Sequence, residues 1–361
     1  MVAVPGDFGQ AGAARRTGAA GQYRAIAARR VLLLVGLAAA LGLSVAVDMS
    51  SGPAGYPLGD VLLAIAAPAS VNEKLRVVIW EIRMPVALMA VTVGAALSAA
   101  GAQMQTILAN PLASPFTLGL SAAAGFGAAL SLILGVALVP ALVGWIVPLN
   151  AFLMAMAAAL FIHLVSRMRG VTTETIILLG IALVFTFNAA LAMLQYLASE
   201  QALAAVVFWT MGSLVKATWT KVALTALAVA VVLPLMARRA WMLTALRLGD
   251  DKAASLGVPV GRVRLETMMI VSLLAAIPVA FVGTIGFIGL VGPHIARMLV
   301  GEDQRYFLPA SLLSGALILS ASSVLSKTLV PGAILPIGVI TALVGVPFFF
   351  SLILASRRRA W

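Results

Sequence analysis

The side chains that most often catalyse reactions or bind metals are scarce in this chain. It has two histidines, His163 and His294, and no cysteine. Two isolated histidines without a cysteine or carboxylate cluster do not make a metal site. Neither a Ser-His-Asp pattern, nor paired carboxylates, nor a Gly-x-x-x-x-Gly-Lys-Ser/Thr loop for nucleotide is present. The sequence therefore predicts no catalytic residue and no directly bound cofactor or metal. If ATP and Mg²⁺ drive this protein, another chain must bind them.

Charge is concentrated instead in one polar island, residues 238–266, between two long apolar segments. Its charged residues are Arg238, Arg239, Arg247, Asp250, Asp251, Lys252, Arg262, Arg264 and Glu266. The simplest interpretation of such a loop is a solvated connector. An ordered, charged loop on one face of a membrane protein is also a surface on which a soluble partner can dock. The sequence alone leaves both interpretations open.

The island is predicted to contain short helices. Residues 245–256 have apolar side chains at helical spacing, Gly257 follows as a C-cap, and Pro259 prevents the helix from continuing. A second helix is expected to start after Pro259 and to run into the next apolar segment. Two short helices at a membrane face would form a rigid projection rather than a flexible linker.

The composition excludes a soluble protein. Apolar residues make up 62% of the 361 residues and charged residues only 10%, so lipid must solvate most of the surface. The net charge of +12 is spread over short loops between apolar segments, which is a topology signal rather than a nucleic-acid-binding patch. The sequence predicts an all-α integral membrane protein with lipid, and no nucleic acid, as a partner.

Ten apolar segments are candidate membrane spans. They are Val31–Val47, Val86–Ile107, Leu118–Val139, Val143–Val165, Thr175–Leu197, Val222–Met236, Met268–Gly286, Phe287–Leu299, Leu308–Leu329 and Pro336–Leu354. A bilayer core requires about 20 residues per helix, so the eighth is too short to cross unless protein buries it.

Lysine and arginine predict the orientation of these spans. With both termini in the cytoplasm, 18 of the 24 basic residues lie inside, in agreement with the positive-inside rule. Residues 1–30 are then a cytoplasmic basic arm, residues 31–355 the transmembrane domain with a cytoplasmic island, and residues 356–361 a cytoplasmic basic tail. A cleaved signal peptide is the alternative for the first span, but no small-residue cleavage site precedes Asp48.

Two features of the spans concern mechanism. The stretch from Gly283 to His294 holds four glycines and a proline, so it is expected to turn inside the protein rather than form a regular helix. The span centres carry almost no ionisable residues, which disfavours a proton- or sodium-coupled carrier. A stand-alone secondary transporter or channel nevertheless remains the alternative function.

Several motifs along the chain resemble those of one family, the FecCD-type permeases of bacterial ABC importers for ferric siderophores, haem and vitamin B12. The matching segments are Arg83–Val86, Val93–Gln105, Asn110–Pro115, Leu118–Ser121, Trp209–Ser213, Leu256–Val258, Gly286–Arg297 and Leu335–Pro347. They occur in the family's order from about residue 80 to the C-terminus.

The resemblance implies a ten-span permease with two inverted halves, in a bacterial cytoplasmic (inner) membrane. It implies a second permease chain, identical or different, and two ATPase subunits that drive alternating access and import of an iron chelate, haem or vitamin B12. The implied ATPase-docking residues in the island are Leu246, Leu248, Gly249, Asp250, Asp251, Ala254, Leu256 and Gly257. The fifth span would line the pathway with Thr186, Asn188 and Gln195, for which polar helix packing is an equal alternative.

The resemblance also implies an extracytoplasmic substrate-binding protein that docks on outward-facing basic residues, here Arg83 and Lys327. The family's second arginine is replaced by Val86, although Lys74 and Arg76 lie nearby. Such exposed ion pairs contribute about 0–1 kcal/mol each, so their role would be orientation and association rate. Lys327 could equally be a headgroup anchor.

Overall fold

The structure is a computed structural model that describes residues 8–168 and 171–357, with side chains for 21–142, 144–168 and 171–351. Its α-helices are α1 (Phe8–Ser50), α2 (Leu58–Ala66), α3 (Glu73–Val77), α4 (Met84–Ile107), α5 (Leu120–Leu134), α6 (Ile146–Ser166), α7 (Thr173–Tyr196), α8 (Glu200–Thr210), α9 (Trp219–Arg238), α10 (Ala240–Leu246), α11 (Asp250–Ser255), α12 (Val260–Val282), α13 (Ile288–Val300), α14 (Gln304–Thr328) and α15 (Ile337–Arg357). The first seven residues of the basic arm and the last four of the basic tail lie outside the described residues.

The all-helical prediction is confirmed, and each of the ten predicted spans coincides with one helix: α1, α4 to α7, α9 and α12 to α15. Within the described residues, seven helical segments are long and apolar enough to cross a membrane. One of these runs from Glu73 to Ile107, because a π-helical turn at Val78–Arg83 joins α3 to α4. Of the remaining three, α5 and α13 are shorter apolar helices, and α15 is apolar over Ile337–Ser351. The chain is therefore a multi-pass membrane protein.

Helix α4 forms the centre of the bundle. Its span is 78% buried, whereas the spans of α1 and α7 are 6% and 11% buried. Glycine allows the neighbours of α4 to approach closely: a methyl group at Gly101 would lie 1.8 Å from the carbonyl oxygen of Gly289 in α13. The same arrangement recurs where Gly94 meets Gly315 of α14. Small residues at such crossings let helix backbones pack directly in lipid. They also help to bury α13, which is too short to cross a bilayer unless protein surrounds it.

The prediction for the glycine-rich stretch is correct only for its first part. Residues 283–287 leave the helix, with Phe287 in the left-handed region at φ 68°. From Ile288 onward the chain is a regular helix, so the expectation of irregular backbone up to His294 is wrong. Pro293 removes one hydrogen bond to the carbonyl of Gly289. The Gln105 side chain of α4 donates to that carbonyl at 3.4 Å, so the neighbouring helix satisfies the released group.

The bundle has two polar ends. The island face contains the polar island, the C-terminal ends of α4 and α13 and the N-terminal end of α14, where Arg264 contacts Ile107 and Arg247 contacts Glu302. The opposite face contains the C-terminal ends of α1 and α14, which are joined by an ion pair between Asp48 and Lys327. Successive spans therefore connect the same two faces in alternation.

Candidate functional site

The polar island forms two short helices, α10 and α11, so the predicted single helix over residues 245–256 is wrong. Gly249 interrupts it at φ 97°, a conformation that a residue with a side chain rarely adopts. The C-terminal part of the prediction is confirmed. Gly257 adopts φ 83°, and the amides of Gly257 and Val258 donate to the carbonyls of Ala254 and Ala253, which is a Schellman motif. Helix α12 then starts after Pro259, as expected.

The predicted docking residues fall into one buried and seven exposed positions. Leu246 is 3% exposed and packs in the main hydrophobic core, so the expectation that it faces a partner is wrong. The seven exposed positions are Leu248, Gly249, Asp250, Asp251, Ala254, Leu256 and Gly257. Leu248 and Leu256 are more than half exposed, at 56% and 52%. Two leucines presented on a rigid polar projection are the type of surface that a protein partner covers.

Helix α11 is held to the bundle at its first residue. Nη2 of Arg264 lies 2.9 Å and 3.0 Å from the two carboxylate oxygens of Asp250, and Nε of the same arginine donates to the carbonyl of Ile107 at 2.8 Å. One arginine of α12 therefore joins the start of α11 to the end of α4. Asp251, by contrast, is exposed and forms no ion pair within the described residues.

Helix α10 is connected to the same end of α4 by two further routes. Arg247 pairs with Glu302, Glu302 lies 3.1 Å from Arg297, and Arg297 donates to the Gln105 side chain at 2.9 Å. In the second route, Thr244 of α10 accepts from the backbone amide of Gln304 at 3.3 Å. The Gln304 side chain in turn contacts Gln103 at 2.9 Å and Thr106 at 3.0 Å, and all three side chains are buried.

Asp303, at the start of α14, is a further charged position on the island face. Its carboxylate accepts from Arg305 at 2.7 Å and lies 3.7 Å from Arg30 of α1. The hydrogen bonds from Arg305, helped by the charge of Arg30, hold the pKa of Asp303 below its ordinary value. Asp303 therefore stays ionised and fixes α1 to α14 at this face.

Arg83 does not present its charge outward, contrary to expectation. It is 7% exposed, and its guanidinium donates to the carbonyls of Met49 at 2.7 Å, Ser50 at 3.0 Å and Ala54. The guanidinium also lies over the ring of Tyr56, 4.8 Å from its centroid. In this structure Arg83 fixes the loop that follows α1.

Lys327 likewise forms its ion pair inside the protein rather than at the surface. Its ammonium lies 2.9 Å from Oδ1 of Asp48, which is fully buried, and its own side chain is 9% exposed. The expectation of an exposed docking charge, or of a headgroup anchor, is not met in this conformation. Asp48 is the residue that sequence reasoning missed, because it appeared only as the end of the first span. Lys74 and Arg76, in contrast, are exposed.

The three polar residues assigned to the pathway all lie on α7 but not on one side of it. Thr186 and Asn188 are two positions apart, so their side chains project from nearly opposite sides of the helix. Asn188 and Gln195, seven positions apart, lie on the same side. Thr186 and Asn188 are exposed, and Gln195 is half-buried. The Thr186 hydroxyl donates to the Ala182 carbonyl of its own helix at 2.9 Å.

A cavity of about 270 Å³ lies between α4, the 3₁₀ turn at Pro115–Leu118 and the start of α13. Its lining is mostly apolar and includes Leu97, Phe116, Phe287 and Leu290. The side chains of Ser114 and Thr117 add two hydroxyl groups. Leu97 stands ten residues from the end of α4, so the cavity is about 15 Å inside the island face. Two of the motifs that carry the family resemblance, Asn110–Pro115 and Gly286–Arg297, contribute to this lining, although sequence reasoning assigned neither to a cavity.

Apolar spans that line an open cavity, with an exposed polar island at one end, are the organisation of a multi-pass membrane permease. The FecCD transport family model matches residues 30–355, and the chain belongs to this family. The resemblance seen in the motifs is thus confirmed. Several curated relatives that match the chain are named as permease proteins.

Two curated relatives illustrate the similarity. The hemin transport system permease protein of Yersinia pestis is 36% identical over 290 residues, which cover 80% of this chain and 87% of the relative. The vitamin B12 import system permease protein of Klebsiella pneumoniae is 34% identical over 326 residues, covering 90% and 94%. A solved metal-chelate type ABC transporter in an inward-facing conformation matches with a TM-score of 0.79 at 28% identity, covering 90% of this chain and 99% of that one.

Proposed function

We propose that the chain is the membrane-spanning subunit of an ATP-binding-cassette importer, in which two separate ATPase subunits bind ATP and Mg²⁺. The family match carries this proposal. The island supports it, because Leu248, Leu256 and Asp251 are exposed on a rigid projection. The island face then lies in the cytoplasm and the opposite face outside a bacterial cytoplasmic membrane, which agrees with the distribution of basic residues.

The proposed cargo is a metal chelate such as an iron-siderophore, haem or vitamin B12, in keeping with relatives named for hemin, Fe(3+)-citrate and vitamin B12. This chain and a second permease chain, identical or different and each built of two inverted halves, enclose the pathway between them, and α7 lines it. The cavity beside Phe116 and Phe287 adds a mostly apolar recess to that pathway, which suits a large ligand with an organic periphery.

A substrate-binding protein delivers the cargo at the opposite face. The exposed basic residues of that face, to which an acidic partner would bind, are Lys74, Arg76 and Lys216. Arg83 and Lys327 join this contact only if their internal partners, the α1 carbonyls and Asp48, release them. Charges of this kind orient the partner and accelerate its association more than they strengthen its binding.

The first test is purification of the tagged chain from native membranes in mild detergent, with identification of co-purifying proteins by mass spectrometry. We expect a stoichiometric ATP-binding-cassette subunit. Asp251→Lys should release that subunit, because it reverses an exposed charge on the docking surface while leaving the Asp250–Arg264 pair intact. Asp60→Lys is the matched control, since Asp60 is an exposed aspartate at the start of α2 on the opposite face.

Retention of the ATPase in Asp251→Lys would contradict the assigned docking surface. A folded, monodisperse wild-type preparation with no ATPase would contradict the importer itself. That second result would favour a carrier that works alone.

A further inference from the structure

Arg264 occupies an unusual position between the island and the bundle core. Its guanidinium contacts the first residue of α11 and the last residue of α4 at once, through Asp250 and the Ile107 carbonyl. Its side chain is only 17% exposed. A displacement of α11 is therefore passed to α4 by one rigid, planar group rather than through a flexible loop.

The end of α4 is where every polar route from the island converges. Gln103, Gln105 and Thr106 receive the routes from α10, and Ile107 receives the route from α11. Four of the last five residues of α4 are thus connected by hydrogen bonds and ion pairs, directly or through α13 and α14, to α10 and α11, the two short helices of the island.

After the end of α4, the chain makes a turn that leads directly to the cavity. Ala109 adopts φ 46°, and Asn110 accepts from the amide of Leu112 at 2.9 Å, so the turn is tightly constrained. Ser114 and Thr117 then form a reciprocal capping box at the cavity wall. A shift at Ile107 is expected to move the Ser114–Thr117 wall, because the six intervening residues include few free torsions.

We propose that Arg264 is a positioning residue that transmits movement of the docking helix α11 to the end of α4 and hence to the cavity wall. This inference rests on the proposed ATP-driven function. It makes the guanidinium necessary for conformational coupling but not for ATPase attachment, since the Arg264 side chain is only 17% exposed whereas the two leucines of the docking surface are more than half exposed.

The absence of cysteine from the sequence makes a clean test possible. Leu112→Cys places a single thiol at a half-exposed position just beyond α4. Its reaction rate with a maleimide is measured in the reconstituted complex with ATPase, without nucleotide and with Mg²⁺-ATP plus vanadate. The test variant is Arg264→Gln, which removes the contacts with both Asp250 and Ile107. The matched control is Arg262→Gln, because Arg262 lies on the same helix and, among the described residues, pairs only with Glu266.

We expect nucleotide to change the labelling rate by about fivefold or more, the lower end of ordinary coupling between sites. Arg264→Gln should abolish that change while keeping ATPase attachment and thermal stability, and Arg262→Gln should retain it. Arg264→Lys should restore it only in part, because one ammonium cannot hold both partners in the same geometry.

A full nucleotide response in Arg264→Gln, or none in the otherwise wild-type chain with ATPase attached, would overturn this inference and leave the importer proposal standing. If the wild-type chain binds no ATPase, the proposed function itself fails.

Discussion

At the scale of single residues, two basic side chains of the opposite face bind groups inside the protein, although the sequence suggested that they would contact a partner. Met49 and Ser50 end α1, so their carbonyls lack partners within the helix, and Arg83 satisfies them. Lys327 similarly neutralises Asp48, which is fully buried. A buried charge is tolerated only when it is paired, so these two contacts hold α1 against the bundle.

Removing one member of the Asp48–Lys327 pair should destabilise the protein strongly. Lys327→Met leaves an uncompensated carboxylate inside the protein, and we expect a loss of about 3–5 kcal/mol. The measurement is thermal unfolding of the purified chain in detergent. The double variant Asp48→Asn with Lys327→Met removes both charges and should recover most of the lost stability. Equal losses in the single and double variants would show that the pair is not what holds α1.

At the scale of elements, glycine determines how closely helices cross. Gly101 of α4 and Gly289 of α13 meet backbone to backbone, which brings Gln105 within reach of the carbonyl that Pro293 leaves free. A glycine in a helix interior normally weakens it by about 1 kcal/mol. At this crossing the weakness is offset by packing and by the hydrogen bond that the close approach permits.

A methyl group should therefore be harmful at Gly101 and harmless at a looser glycine. Gly101→Ala places a carbon against the Gly289 carbonyl and should cost about 1–3 kcal/mol or more, because α4 and α13 must separate. Gly125→Ala is the control: it lies inside α5, and the nearest atom to its methyl would be 3.7 Å away. It should change stability by less than about 1 kcal/mol. Similar melting temperatures for the two variants would contradict a tight α4–α13 crossing.

At the scale of the whole molecule, the exposed helix α7 indicates where the bundle is incomplete. Its span is only 11% buried, yet it carries polar side chains. Thr186 is satisfied by its own helix and tolerates lipid. The amide of Asn188 forms no hydrogen bond within the described residues, so in a membrane it requires water or a second chain. We therefore expect the proposed pathway on the Asn188 side of α7.

Cysteine accessibility can distinguish the two sides. In the cysteine-free chain, Asn188→Cys should react rapidly with a membrane-impermeant maleimide in reconstituted vesicles, because it faces an aqueous pathway. Thr186→Cys, on the other side of the same helix, should react slowly because lipid covers it. Equal reactivity at both positions, or faster reaction at Thr186→Cys, would remove α7 from the pathway as assigned.

The sequence by itself determined the class of fold and the family. Each predicted span is a run of apolar residues whose length is set by the bilayer, so local composition was sufficient to place all ten helices. Gly257 and Pro259 likewise ended α11 as predicted, because capping depends on neighbouring residues only. The break at Gly249 was missed because helical spacing of the apolar residues continued across it, whereas the backbone conformation at that glycine depends on how α10 and α11 each pack.

Only the tertiary structure decided which residues are free to meet a partner. Leu246, Arg83 and Lys327 looked available in the sequence, yet Leu246 packs in the hydrophobic core and the two basic side chains bind groups distant in the chain. Asp48 and Lys327 are separated by 279 positions, and Arg264 and Ile107 by 157. No local pattern encodes such pairs, because burial and pairing arise when helices pack, and it is this packing that connects the island to the end of α4.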